Sequence, residues 1–262
     1  MHRSGCRFRK RREDIEDHYA AGTNGASFRR ISAAGPHMTH DVVFLLDVDN
    51  TLLDNDRIAD DLRAHLTGQF GAAGERYWAH FEELREELGY ADYLGALQRY
   101  RADLDENGEA AHRLLSVSQF LIDYPFADRL YPGALEVLQK LAKTGPTVIL
   151  SDGDVVFQPR KVHRSGIWKA VEGRVLIFIH KEEMLATVQR EYPAKRYVLI
   201  DDKERILDAV KNIWGERLVS VFPRQGHYAH DPENAGKYRK PDVTVERIGD
   251  LLGMDIGALA AG

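Results

Sequence analysis

Carboxylates gather at a few points of this chain, in company that suits chemistry. The string Asp47-Val-Asp-Asn-Thr-Leu-Leu-Asp54 sets Asp47, Asp49 and Thr51 at alternate positions. Ser151-Asp-Gly-Asp154 brings a hydroxyl, two carboxylates and Gly153. His180 and Lys181 come next, then Asp201 and Asp202. Each group has an ordinary explanation when taken alone. A serine there caps a helix, a lysine beside Glu182 and Glu183 forms a surface salt bridge, and an acidic pair opening a helix complements its dipole. What sets them apart is a shared location. Each follows a short apolar run rich in β-branched residues, which reads as a buried strand.

Those runs are Val42–Asp47, Pro146–Ser151, Arg174–Ile179 and Tyr197–Asp201, with a fifth at Arg217–Phe222. They are continuously apolar, as strands covered on both faces of a parallel sheet are. Helical patterns alternate with them at Leu135–Ala142, Phe157–Ser165, Glu182–Glu191 and Lys203–Ile213. Strand alternating with helix predicts an α/β, doubly wound, Rossmann-like parallel sheet. In such sheets ligands bind beyond the carboxyl ends of the strands, where these side chains are expected to meet. Four carboxylates, Asp47, Asp49, Asp201 and Asp202, cannot all ionise side by side unaided. A hard divalent cation resolves that conflict, and oxygen ligands suit Mg²⁺. With Lys181 and Ser151 beside it, the cluster makes a site for a phosphoryl group.

The elements that position this chemistry are interrupted once. Between about Asn55 and Arg129 no strand signal appears, only helical stretches at Ile58–Phe70, Glu75–Leu88, Tyr90–Leu104 and Glu109–Asp123. Gly71, Gly74 and the pair Asn107-Gly108 punctuate them. That is too much chain for a strand-to-helix loop, so residues 58–129 are expected to form a helical cap domain. Residues 39–57 and 130–262 would form the core.

Residues 1–38 carry eight Lys/Arg and four Asp/Glu, whereas the remainder has a net charge of −9. The basic tail has few aliphatic residues and is expected to be disordered, with Met38 an alternative first residue. It lacks the apolar stretch of a secretory signal, and its acids disfavour a transit peptide. No apolar run approaches the roughly 18 residues that span a bilayer. A single cysteine, Cys6, excludes an internal disulfide framework. Net charge −5 disfavours a general nucleic-acid binder. The expectation is a cytoplasmic protein with a small-molecule partner and neither nucleic acid nor membrane.

In order and type, these motifs resemble the haloacid dehalogenase-like hydrolase superfamily. Asp47, Asp49 and Thr51 match its D-x-D-x-T motif, and Ser151 matches its strand-ending hydroxyl. Lys181 matches its lysine, and Asp201-Asp202 its closing acidic pair. Tyr131-Pro-Gly-Ala134 looks like the return from a helical cap. Asn50 stands where glycine is common, and asparagine tolerates the same left-handed turn.

The resemblance implies Asp47 as nucleophile and Asp49 as general acid and base. It implies Ser151 and Lys181 at the phosphoryl group, with Thr51, Asp152 and Gly153 expected to bind substrate or phosphate. Mg²⁺ would be held by Asp47, Asp49, Asp201 and Asp202. Lys161 competes with Lys181, and strand-end placement favours Lys181. The second aspartate favours phosphate-ester hydrolysis, because a halide leaves without a proton. Alternatives on the same scaffold are a phosphomutase or a dehalogenase. A phospho-receiver or a binding module would be of another class. In the loop Gln225–Asp231, His227 is a candidate substrate contact, and the loose spacing of His227, His230 and Asp231 disfavours a zinc site.

Overall fold

The sheet is built from runs whose side chains alternate between two buried layers. In the computed structural model, which describes residues 39–104, 108–234 and 236–261, six strands pair in parallel. They are β1 (His40–Leu46), β2 (Thr147–Asp152), β3 (Val175–Phe178), β4 (Ala194–Ile200), β5 (Leu218–Pro223) and β6 (Val243–Val245). Their order is β3-β2-β1-β4-β5-β6. On β1, Val42, Phe44 and Leu46 enter one hydrophobic cluster, and Val43 and Leu45 enter the other. Strand β4 repeats this, with Val198 and Ile200 on the first face and Tyr197 and Leu199 on the second. Both faces are covered, which is why these strands lack a polar alternation.

The helical insertion comprises α1 (Asn55–Phe70), α2 (Glu75–Leu88), α3 (Tyr93–Ala102) and α4 (Gly108–Asp123). Asp54 caps α1 by accepting the Arg57 amide at 2.9 Å, and Asp92 caps α3 by accepting the Gly95 amide at 2.7 Å. The cap at Asp92 places the start of α3 later than the helix predicted from Tyr90. Ile58, Leu62 and Leu66 recur at the spacing of one helix face. They join the same buried cluster as Phe44 and Leu46.

Helices α5 (Ala134–Leu141), α6 (Phe157–Arg164) and α7 (Ile167–Ala170) contribute to that layer too. On the opposite face lie α8 (Leu185–Glu191) and α9 (Glu204–Trp214), through Leu185, Val188, Ile206, Val210 and Trp214. Short helices α10 (Gly226–Ala229) and α11 (Ile256–Ala261) complete the chain. The helix predicted over Glu182–Glu191 is divided: a 3-10 turn at Lys181–Glu183 precedes α8. Strand β6 was not predicted. It has three residues, too few for a periodic signal. The basic tail, residues 1–38, and Asn107 lie outside the described residues. No helix among the described residues is long and apolar enough to cross a membrane.

Candidate active site

Register brings the site together. Leu46 pairs with Ile149 on one side and Ile200 on the other. Asp47 therefore leaves the sheet level with Asp201, one residue short of Ser151. Its own amide donates to the Ile200 carbonyl at 3.0 Å. The turn that follows depends on Asn50, which has φ 59°. The Asn50 Oδ1 accepts the amides of Asn55 and Asp56 at 3.0 and 3.2 Å, fastening the turn to the start of α1. Gln225 secures the turn from the far side, donating to the carbonyls of Asn50 and Thr51 at 3.1 and 3.0 Å. A side chain at Gly226 would meet Asn50 Cβ at 2.5 Å, so only glycine permits this approach.

Lys181 is the hub. It is 1% exposed, and its Nζ stands 2.5 Å from Asp47 Oδ1 and 2.7 Å from Asp201 Oδ2. Ser151 Oγ donates to Asp47 Oδ1 at 3.2 Å and accepts from Gln158 Nε2 at 3.0 Å. Asp152 holds Lys181 in place, its Oδ1 accepting the Lys181 amide at 2.7 Å. Thr51, expected near phosphate, is fully buried, and its Oγ1 accepts the Asp202 amide at 3.1 Å. The Gly153 amide donates to the Phe178 carbonyl at 2.9 Å, and a side chain there would meet Gln158 Cβ at 2.7 Å. Asp154 caps α6 through the amides of Val156 and Phe157.

Asp47, Asp201 and Asp202 each offer a carboxylate oxygen, all within 4.8 Å of one another. Both Asp202 side-chain oxygens are buried without a hydrogen-bond partner among the described residues. Burial pushes Asp202 well above the usual carboxylate range, and Lys203 only partly opposes this. Asp201 is raised as well, chiefly by burial, with Lys181 pulling the other way. At Asp47 burial acts upward too, but Lys181 and Lys203 outweigh it and hold the group below its ordinary value. Two ammonium groups thus face three carboxylates, and an oxygen-seeking cation would balance the excess. The donor set is all oxygen, which fits Mg²⁺ better than a softer metal.

Asp49 is placed apart from this trio. Its carboxylate meets Lys161 Nζ at 2.6 and 2.7 Å. Lys161 and Lys181 therefore face different aspartates, Lys161 pairing with Asp49 and Lys181 with Asp47 and Asp201. Lys203, expected only as the start of a helix, follows the acidic pair directly and lies over the Tyr228 ring at 4.9 Å. A cavity of about 360 Å³ opens here, lined among others by Asp49, Asp152, Lys203, Arg85, Tyr90 and Tyr228. His227 does not line it. Its Nδ1 pairs with Asp56 Oδ1 at 2.6 Å, and its neighbour Tyr228 faces the space instead.

Fold and site define a class, and comparison with known proteins agrees. Residues 42–213 match the haloacid dehalogenase-like hydrolase family. A solved structure of a haloacid dehalogenase-like hydrolase from Burkholderia xenovorans LB400 is 63% identical, with TM-score 0.77, covering 84% of this chain and 99% of that one. The L-2-haloacid dehalogenase of Xanthobacter autotrophicus, solved with chloropropionic acid covalently bound, is 19% identical with TM-score 0.53, covering 81% and 97%. A magnesium-bound hydrolase of this family from Bacillus subtilis is 14% identical with TM-score 0.54, covering 82% and 98%. No match was found among curated proteins. The chain belongs to the haloacid dehalogenase-like hydrolase family and is an enzyme of hydrolase type.

Proposed function

We propose that this hydrolase is a Mg²⁺-dependent phosphatase of a small phosphomonoester, working through a phosphoryl group carried on Asp47. The observation that carries the reading is the presence of two aspartates with separate partners. Asp47 is held ionised by Lys181, and Asp49 opens on the cavity beside it.

In the first half-reaction a carboxylate oxygen of Asp47 attacks phosphorus and the ester P–O bond breaks. The leaving oxygen takes its proton from Asp49, which is general acid catalysis. In the second, Asp49 takes a proton from water, whose oxygen attacks phosphorus, and the Asp47–phosphorus bond breaks to release phosphate. Lys181 and Ser151 offset the charge around the phosphoryl oxygens. Asp47, Asp201 and Asp202 would hold the metal, which when bound neutralises phosphoryl charge as a Lewis acid. The four inserted helices would act as a cap, with Arg85 and Tyr90 reaching the substrate side of the cavity.

Carbon–halogen cleavage would not need an acid at Asp49, because halide departs unprotonated. The fold shared with L-2-haloacid dehalogenase makes 2-chloropropionate the proper control. The test incubates the purified protein with a panel of sugar phosphates, nucleotides and p-nitrophenyl phosphate, with Mg²⁺ or a chelator. Free phosphate and chloride are measured in parallel. The reading expects phosphate release that needs Mg²⁺. Chloride release without phosphate release would reverse it, and transfer to a sugar in place of water would make the enzyme a mutase.

A further inference from the structure

Lys161 has a setting that the chemistry above does not use. It comes from α6 and is 1% exposed, whereas the Asp49 side chain remains 24% exposed. The lysine therefore sits behind the carboxylate, away from the cavity. Its Nζ reaches the two Asp49 oxygens at 2.7 and 2.6 Å and Asn55 Oδ1 at 3.2 Å. An ammonium has three hydrogens, so these acceptors account for its full donor capacity. The rings of Tyr93 and Phe157 lie 5.9 and 5.7 Å away and enclose it.

The contacts continue into the inserted helices. Asn55, the first residue of α1, donates from Nδ2 to Tyr93 Oη at 3.2 Å. Tyr93 opens α3, and its carbonyl accepts from Tyr77 Oη of α2 at 2.9 Å. One continuous chain of bonds thus runs from α2 and α3 through Asn55 and Lys161 to Asp49. A buried ammonium is costly unless it is fully paired. Here its two strongest partners are the oxygens of one catalytic carboxylate.

We propose that Lys161 is a positioning residue for Asp49. It fixes the plane of that carboxylate toward the leaving oxygen and, through Asn55 and Tyr93, makes the alignment depend on the inserted helices. This inference rests on the phosphatase reading. Misaligning a general acid penalises a substrate in proportion to its need for a proton. An alkyl phosphate needs one, and p-nitrophenyl phosphate scarcely does. A lysine that merely supports the fold would affect both esters alike.

The experiment measures kcat and KM on both esters for the wild type, Lys161→Met, Lys161→Arg, Asp49→Asn and Lys161→Met/Asp49→Asn. Positioned general acids contribute about 100-fold or more, so kcat for the alkyl ester should fall at least about tenfold further than for the aryl ester in Lys161→Met. KM should change little, and Lys161→Arg should recover part of the loss. In the Asp49→Asn background, Lys161→Met should add almost nothing. Equal losses on both esters, or full additivity with Asp49→Asn, overturns the proposal. If Lys161→Met does not fold, Asn55→Ala carries the same test, with a smaller shift in the same direction expected and an even loss overturning it. A wild-type enzyme that releases phosphate from neither ester fails the phosphatase reading itself, before any substitution is made, and this inference falls with it.

Discussion

Asp152 Oδ1 accepts the backbone amide of Lys181 at 2.7 Å, so the end of β2 sets where the lysine begins. The lysine can then reach back to Asp47 and Asp201 while remaining buried. Asp152 is thus a support for the site lysine. It is also largely buried, and this raises it to about 6, despite the opposing pull of Lys181.

That elevation predicts a pH signature. The ordinary value is 3.8, so between about pH 4 and pH 6 the folded protein holds the Asp152 proton more readily than the unfolded chain. The stability contributed by the protonated form is complete below about pH 4 and is lost as pH rises through about 6. Asp152→Asn keeps the acceptor for the Lys181 amide but does not titrate. In metal-free protein, urea unfolding should show the variant gaining on the wild type by up to about 3 kcal/mol between pH 4 and pH 7. Parallel pH profiles would refute this.

Lys181 separates two buried carboxylates, and its removal should be costly. Lys181→Met leaves Asp47 and Asp201 without their ammonium partner, and breaking a buried pair in this way costs about 3–5 kcal/mol. Denaturant unfolding at neutral pH should show a loss of that size, and phosphate release should fall to background. A loss below about 1 kcal/mol, the size of a surface pair, would mean that the ion pair is not a structural one.

Asp202 gives the opposite result in the absence of metal. Both of its oxygens are buried without donors among the described residues. Asp202→Asn should therefore raise the melting temperature of chelator-treated protein, because a neutral amide is cheaper to bury. Wild type with Mg²⁺ at about 100 times its dissociation constant should gain about 2.7 kcal/mol, or roughly 5–10 °C for a chain of this size. The variant should lose most of that response. A Mg²⁺ shift equal to that of wild type would remove Asp202 from the proposed metal site.

The residues at the carboxyl ends of the strands were readable in the sequence because a parallel sheet delivers its C-terminal residues to one edge. Asp47, Ser151, Lys181 and Asp201 each follow or end a continuous apolar run, and all of them meet. Asn50 keeps the left-handed turn expected of it. What the sequence pattern does not place lies on helices or acts over a long separation. Lys161 is one residue of an amphipathic helix, and its partner is 112 positions away. Thr51 carries a motif, but the motif does not reveal that its hydroxyl holds the Asp202 backbone. Gln158, which orients Ser151, has no local signal, since glutamine is ordinary on a helix. Lys203 stands beside the acidic pair, where a lysine is equally an ordinary start to a helix.

The most direct measurement is a single turnover of a phosphate ester in water enriched in heavy oxygen, quenched with acid and read by mass analysis of the peptide containing Asp47. The account predicts a transient phosphoryl group on Asp47 that gives way to unlabelled aspartate as labelled phosphate appears. Phosphate release with no phosphorylated peptide, or heavy oxygen entering the Asp47 carboxylate, would contradict it.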